Sequence, residues 1–267
     1  MPGIAVGLAA VLVAVSAAWA DFVRYDGTMG TTPGAQGWLY LTNPLIGAAA
    51  TQSASGGVTV LDTWAVPPDA AGYFSTTHPL IGTLDRSSGF MVGIRLRVAR
   101  ESHGNANRAG FSLITLGSDA KGVEIGFWQG EVWAQNDGPQ LFTHGEGAAF
   151  DTTSALTDYA VVIRGNGYSL TANGQALLDG PVRDYSAFGP PYTFESFLFF
   201  GDDTSSAAAR VEIARVTLDT LLEPFPAVPE PSSLPSSASG SLGSVSSGAG
   251  RGRPDPGAAA LLFPESP

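Results

Sequence analysis

Residues 158–180 read DYAVVIRGNGYSLTANGQALLDG, and this stretch decides the fold class. Its apolar and polar side chains alternate with a period of two, which is typical of half-buried β-strands. Two Asn-Gly pairs, at 166–167 and 173–174, interrupt the alternation. Asn-Gly between alternating residues is the strongest short-range signal for a β-hairpin. The stretch therefore predicts an antiparallel meander of three strands.

The register of this meander can also be predicted. Pairing across the first Asn-Gly turn places Ile163 opposite Leu170 and Val161 opposite Ala172 on one face. Arg164 then lies opposite Ser169 on the other face. Since one face is apolar and the other polar, the apolar face is expected to enter the core.

The same period of two recurs outside the meander. In residues 90–98 the apolar side chains share one face, whereas Arg95 and Arg97 point the other way. Further strands are expected in a segment that ends near Gly117, in a hairpin around the Gln129-Gly130 turn, and around residues 195–200 and 210–218. Many short strands separated by turn signals predict an all-β sandwich or barrel.

Composition agrees with this class and excludes several functions. The 267 residues are 44% hydrophobic and only 14% charged, with 34 glycines and 19 prolines. This mixture favours turns over long helices. A formal net charge of −11 argues against nucleic acid and anionic membranes as partners, because both attract clusters of Lys and Arg. The chain has no cysteine, which excludes disulfides, zinc–cysteine sites and thiol nucleophiles.

The first twenty residues are typical of a secretory signal peptide. An apolar run covers residues 4–15, and small residues at 18 and 20 precede a cleavage point after Ala20. The mature chain would then begin at Asp21 and be secreted or held at the cell surface. An uncleaved anchor helix is the alternative, although the apolar run is short for a membrane span.

Composition divides the rest of the chain into three zones. Residues 21–222 are expected to form one globular domain, and residues 223–235 form a proline-rich linker. Residues 236–267 consist mainly of Ser, Gly, Ala and Pro. Such a segment buries too little apolar surface to offset its chain entropy, so we expect a disordered C-terminal tail.

A family resemblance supports the sandwich. The meander containing YSLTANGQALLDG, followed by LFFGDDTSSAAARVEIARVTL at 198–218, resembles the second half of a concanavalin-A-like or laminin-G-like jelly roll. The resemblance covers residues 85–219. It implies an antiparallel β-sandwich of jelly-roll type, with residues 21–84 as its first strands and loops.

A second resemblance concerns the linker. AVPEPSSL at 227–234 is similar to the start of a PEP-CTERM sorting signal, found on exported proteins of bacteria that make exopolysaccharide. The membrane helix and arginine cluster of such signals do not follow, since the longest later apolar run is residues 257–263. The signal has either degenerated, leaving a freely secreted protein, or been altered by a reading-frame change after Leu234. The mature chain is therefore expected to have no transmembrane helix.

Catalytic motifs are missing from the sequence. There is no Gly-x-Ser-x-Gly, His-Glu-x-x-His, phosphate-binding loop or dinucleotide fingerprint. The paired carboxylates at spacing two that many jelly-roll glycosidases carry are also absent. His78, His103 and His144 stand alone in loop-like sequence, and we expect them to be solvated.

The hairpin at 123–135 holds the candidate ligand-binding residues. Pairing about its turn gives one apolar face for the core. The opposite face carries indole, carboxylate and amide groups, which suit the C–H faces and hydroxyls of a sugar. These residues are Trp128, Trp133, Glu131, Glu124 and Gln135, with Gly126 opposite Trp133. If this face is an open site, both indoles should be exposed; the alternative is that they pack beneath a loop.

Calcium is the one metal that the sequence suggests. Asp202, Asp203 and Asp119 lie near strand ends, where carboxylates of related jelly rolls sometimes bind Ca²⁺. Solvated turns are the alternative for all three, and no other cofactor is expected.

Together these features predict an exported, non-catalytic protein of the cell surface or extracellular matrix. Its lectin-like sandwich would bind a glycan, such as the polysaccharide or exopolysaccharide of a matrix. A divergent glycoside hydrolase or polysaccharide lyase is one alternative, and a purely structural matrix protein is another.

Overall fold

The computed structural model describes residues 22–42, 50–64, 70–76 and 80–220. The expected signal peptide, the linker, the C-terminal tail and His78 lie outside these residues. No helix within the described ranges is both long and apolar enough to cross a membrane.

Strands dominate the described part of the chain, and the only helical segments there are short 3-10 turns at Gly27–Met29, Pro33–Gln36 and Ser186–Phe188. The strands are β1 (Phe22–Asp26), β2 (Leu39–Thr42), β3 (Thr51–Ser55), β4 (Val58–Asp62), β5 (Ala71–Ser75), β6 (Phe90–His103), β7 (Ser112–Leu116), β8 (Gly122–Phe127), β9 (Glu131–Asn136), β10 (Thr143–Ala149), β11 (Thr157–Arg164), β12 (Gly167–Ala172), β13 (Gln175–Pro181), β14 (Phe197–Asp202) and β15 (Ala207–Thr220).

These strands form two antiparallel sheets, packed as a β-sandwich of jelly-roll type. The eight-stranded sheet has the order β13-β12-β11-β6-β15-β4-β3, with β1 also paired to β15. The seven-stranded sheet has the order β10-β9-β8-β7-β14-β5-β2. The fold class predicted from the alternation and from the family resemblance is confirmed.

The core lies between the inner faces of the two sheets. The alternation predicted in β6 is confirmed, since Phe90, Val92, Ile94, Leu96 and Val98 are all buried there. The strands expected to end near Gly117 and around residues 195–200 and 210–218 correspond to β7, β14 and β15. The period of two therefore identified the residues that stabilise the sandwich by burial.

The meander is confirmed, but the register predicted for its first hairpin is wrong by two residues. Val161 pairs with Leu170 and Arg164 pairs with Gly167, so the turn is Gly165-Asn166. Gly165 has φ of 57°, whereas Asn166 is not in the left-handed region. Glycine at the first central position is typical of a type II′ turn. A shift of two keeps every side chain on its predicted face.

The second turn of the meander follows the prediction. Asn173 and Gly174 both have positive φ, at 49° and 77°, as a type I′ turn requires. The flanking residues Ala172 and Gln175 pair directly. The two turns thus differ in the residue that takes the first left-handed position. A glycine precedes the first Asn-Gly pair and takes it, whereas no glycine precedes the second pair, so its asparagine takes it.

The hairpin of β8 and β9 has the predicted register. Ile125 pairs with Ala134, and Gly126 pairs with Trp133. A Cβ atom at Gly126 would lie 2.8 Å from Cε2 of Trp133. Glycine at this position therefore lets the indole lie flat across the neighbouring strand.

A β-bulge in β6 positions two residues that the alternation did not identify. The ladder between β6 and β15 skips Ala99. A skipped residue reverses which side chains face inwards. Glu101 consequently pairs with Ala209, a buried core residue, and His103 follows on the same face.

Candidate functional site

The structure places the five predicted binding residues on the outer face of the seven-stranded sheet, but most of them are covered. Trp133 is 0% exposed, and Glu124 and Gln135 are each 2% exposed. Trp128 and Glu131 are partly exposed. Of the two alternatives, packing beneath a loop therefore applies to Trp133, whereas Trp128 reaches the surface.

Trp133 is buried because other segments fold across the outer face of its strand. The Gln135 side chain donates to the carbonyl oxygen of Asn107 at 2.9 Å. Asn107 in turn accepts from the backbone N–H of His144 at 2.9 Å. The loop before β7 is thereby bonded to both β9 and the start of β10, and it covers Trp133.

The two indoles belong to a column of four aromatic rings. His103 stacks on Trp128 with centroids 4.1 Å apart and an interplanar angle of 9°. Trp128 contacts Trp133 at 5.2 Å, and Trp133 stacks on His144 at 4.4 Å and 13°. We call these four residues the aromatic column. His103 and His144 lie in β6 and β10 and are not isolated, contrary to the expectation, although His103 is exposed, as expected.

Each imidazole of the column contacts a carboxylate. Nδ1 of His103 lies 2.9 Å from Oε1 of Glu101, and Nε2 of His144 lies 3.1 Å from Oε1 of Glu131. Burial raises the pKa of the Glu101 carboxyl, and its hydrogen bond with His103 opposes that shift. A His–Glu pair thus lies at each end of the column. The two pairs differ in burial, since Glu101 is buried and Glu131 is partly exposed.

An open cavity of about 440 Å³ lies beside the column. We call it the cleft, and it is lined by Glu101, Ser102, His103, Trp128, Gln129, Gly130 and Glu131. Trp128 is held in place because its Nε1–H donates to the carbonyl oxygen of Arg108 at 2.8 Å. Hydrogen-bonding side chains therefore surround a fixed indole at the surface.

Glu131 is positioned by a close approach to the neighbouring strand. A Cβ atom at Gly147 would lie only 2.0 Å from Oε1 of Glu131. The ladder between β9 and β10 is also irregular between His144 and Gly147. Glycine at 147 thus leaves room for the carboxylate to reach His144.

A second polar cluster lies deeper on the same sheet face. The Tyr192 hydroxyl donates to Oε2 of Glu124 at 2.6 Å, and Ser112 Oγ donates to Oε1 at 3.4 Å. Burial, together with the neighbouring Asp203 carboxyl, raises the pKa of Glu124 to about 8. Burial also raises the pKa of Asp203. Glu124 is therefore largely protonated at neutral pH.

Aromatic side chains from two loops close over this buried acid. Phe142, Tyr185 and Tyr192 pack on the outward side chains of β7 and β14, including Ile114 and Phe199. The Tyr185 hydroxyl donates to the carbonyl oxygen of Gln135 at 2.7 Å. We call Phe142, Tyr185 and Tyr192 the aromatic cover. Because of it, Glu124 and Gln135 lie outside the cleft.

The calcium candidates do not lie together. Asp119 forms an ion pair with Arg86. Asp202 accepts a hydrogen bond from the Thr63 hydroxyl at 2.8 Å, while Asp203 belongs to the Glu124 cluster. Within the described ranges, no group of three or more His, Cys, Asp or Glu side chains could hold a metal ion. Calcium binding remains a prediction.

Sequence reasoning missed Glu101, His103 and His144 as site residues. One local signal was present, because Glu101 and His103 are two residues apart and side chains at that spacing share a strand face. The contact of His144 with Trp133 had no such signal. It depends on how β10 pairs with β9.

Comparisons with known proteins add similarities of fold. The sequence matches neither a known family model nor a curated protein. Among solved structures, a carbohydrate esterase from the Shiga toxin-encoding bacteriophage phi24B is similar at 14% identity, with a TM-score of 0.47, over 69% of this chain and 90% of the other.

Two further solved structures are similar at comparable levels. Alginate lyase A1-II′ has 10% identity and a TM-score of 0.42, over 74% of this chain and 92% of its own. The exoplasmic domain of VIP36, with bound Ca²⁺ and mannose, has 11% identity and a TM-score of 0.43, over 76% and 89%. Function is therefore inferred from the cleft itself.

Proposed function

We propose that this protein binds a glycan in the cleft without catalysing a reaction. The supporting observation is the chemistry of the cleft lining. The lining combines carboxylate, amide, hydroxyl and imidazole groups around one indole. Carboxylates accept hydrogen bonds from sugar hydroxyls, while amide N–H groups donate to them. Few small molecules other than sugars offer so many hydroxyls to such a lining.

The site is preorganised. His103 stacks on one side of Trp128, and the Trp128 N–H is bonded to a carbonyl. A ligand therefore does not have to order these side chains, which lowers the entropic cost of binding. Because His103 occupies one face of the indole, polar groups rather than an open aromatic platform carry the recognition.

The test is binding to a panel of soluble polysaccharides, by affinity electrophoresis and then by calorimetry. Glu131→Gln and Gln129→Ala should each weaken binding by tenfold or more, about 1.4 kcal/mol, since they remove polar contacts inside the cleft. The control is Glu195→Gln. Glu195 is exposed and precedes Ser196, whose N–H donates to the carbonyl oxygen of Gly117, just beyond one end of β7. The cleft lies at the other end of β7, near Phe111.

The control variant should bind like the parent protein. Failure of the parent protein to bind any polysaccharide would overturn the proposal. Equal loss in all three variants would also contradict it, because the cleft would then not be the binding site.

A second candidate function is glycoside hydrolysis. The observation that favours it is that Glu101 and Glu131 line the same open cleft. Glycosidases need one protonated and one ionised carboxyl, and burial raises the pKa of Glu101. Hydrolysis would be supported if the parent protein releases reducing ends from a polysaccharide that it binds, and if Glu101→Gln and Glu131→Gln each abolish this release. Binding without any release would support the non-catalytic function.

We also propose that the protein is exported to the cell surface or matrix. The signal-peptide pattern of residues 1–20 and the Val-Pro-Glu-Pro motif at 228–231 support this proposal. Mass spectrometry of protein recovered outside the cell should find Asp21 as the first residue. Retention of residues 1–20 would contradict cleavage, and recovery only from the cell interior would contradict export.

A further inference from the structure

We propose that the cleft is selective for charge, so that it binds amino-sugar polymers in preference to neutral ones and excludes polyuronates. This inference rests on the proposed glycan-binding function and adds the chemical class of the ligand. It follows from the arrangement of charged groups around the cleft.

The cleft lining carries acidic groups and no Lys or Arg. Its two ionisable acids are Glu101 and Glu131. Each is in contact with one imidazole, that of His103 or His144. The imidazole nitrogens that face these carboxylates, Nδ1 of His103 and Nε2 of His144, are therefore not free to bind an anionic ligand. The lining itself thus holds two carboxyl groups against a single imidazole.

The two arginines that flank Glu101–His103 in sequence, Arg100 and Arg108, are engaged elsewhere. Arg108 donates from Nη1 to the carbonyl oxygens of Asn107 and Phe142 and is itself buried. The guanidinium of Arg100 lies over the ring of Trp64, at 4.3 Å from its centroid. Arg100 also precedes Glu101 on a strand, so its side chain projects from the opposite face. Neither cation is available to pair with a uronate carboxylate in the cleft.

A uronate brought into the cleft would have to lose water without gaining a cationic partner. Burying an unpaired charge beside like charges is strongly unfavourable. An ammonium group, in contrast, can pair with the partly exposed carboxylate of Glu131. A charge-assisted hydrogen bond of this type is stronger than one between neutral groups.

The test compares oligosaccharides of equal length by calorimetry near neutral pH. The first pair is the glucosamine oligomer and its fully N-acetylated form, and the second is a galacturonate oligomer and its carboxyl-reduced, neutral form. We expect the amino form to bind about tenfold more tightly than the acetylated form, as one additional ion pair would give. The galacturonate should bind at least tenfold more weakly than its reduced form.

Glu131→Gln separates charge from shape. If the amino preference arises from the carboxylate, this variant should lose it while still binding the neutral oligomers, although more weakly. If the acetyl group is merely too large, the preference will persist and the inference is overturned. Glu195→Gln removes the same charge far from the cleft, so this control variant should keep the preference for the amino form. If both variants lose the preference, the ligand is attracted to the overall charge of −11, and the inference is overturned.

The outcomes distinguish the two proposals. If the oligomers bind but galacturonate binds as tightly as its reduced form, only the charge selectivity is overturned, and glycan binding stands. If no oligosaccharide of either pair and no polysaccharide of the panel binds, the proposed function fails, and the selectivity fails with it.

Discussion

The outer faces of the two sheets have similar sequence patterns and very different surroundings. On the eight-stranded sheet the outward residues form ion pairs at the surface, such as Arg95 with Asp158, whose side chains are 45% and 59% exposed. On the seven-stranded sheet the outward residues Glu124 and Trp133 are almost completely buried. Alternation predicts which side chains point away from the core, but it does not predict whether those side chains are exposed to solvent.

The difference arises from segments that are distant in sequence. The aromatic cover and the loop before β7 lie across the seven-stranded sheet and supply hydrogen-bond partners for Glu124 and Gln135. Buried polar groups require such partners, because leaving one unsatisfied costs about 1–3 kcal/mol. On the eight-stranded sheet, Arg97 and Glu212 satisfy each other across neighbouring strands.

The largest expected effect comes from replacing the buried indole. Trp133→Ala should destabilise the protein by about 3–5 kcal/mol, since it leaves a cavity beneath His144 and beside Gly126. Trp128→Ala should cost about 1–2 kcal/mol, because this ring is partly exposed and loses one hydrogen bond. Denaturant unfolding of both variants measures the difference. Equal costs would contradict the asymmetry between the two indoles.

The next effect concerns the pH dependence of stability. The folded-state pKa of Glu124, about 8, lies above its ordinary value, so folding favours the protonated form. This contribution is complete below about pH 4.5 and is lost as the pH rises through about 8. The free energy of unfolding should therefore fall by an amount on the order of 2–4 kcal/mol between about pH 5 and pH 9.

Glu124→Gln tests the assignment to this residue. Glutamine has the shape of the protonated acid and can still accept from the Tyr192 hydroxyl. The variant should match the parent at acidic pH and exceed it in stability at alkaline pH, as measured by thermal unfolding across the range. A variant whose stability falls with pH as steeply as the parent's would show that another group is responsible.

The smallest effect is expected on the eight-stranded sheet. Arg97 and Glu212 form a two-point ion pair, with Nη2–Oε1 at 2.6 Å and Nε–Oε2 at 3.0 Å, but both side chains remain partly exposed. A double-mutant cycle with Arg97→Gln and Glu212→Gln should give a coupling energy below about 1 kcal/mol that declines with added salt. A coupling of several kcal/mol would show that this face is as sheltered as the other.

Local patterns were reliable where the relevant contacts are local. The hairpin of β8 and β9 has its predicted register because its alternating faces and its turn agree. The first hairpin of the meander moved by two residues because Gly165 competes with Asn166 for the first turn position. A two-residue slip leaves the faces unchanged, so the sequence could not discriminate between these registers by burial.

The sequence by itself determined the all-β class, the core-facing side chains and the absence of thiol chemistry, because these depend on residue type and on a period of two. Only the tertiary structure decided which side chains line the cleft. It brought His103, which follows a bulge in β6, against Trp128 in the turn between β8 and β9, and it placed Glu124 under the aromatic cover. These contacts join segments far apart in the chain, and their energies depend on burial, which no local pattern records.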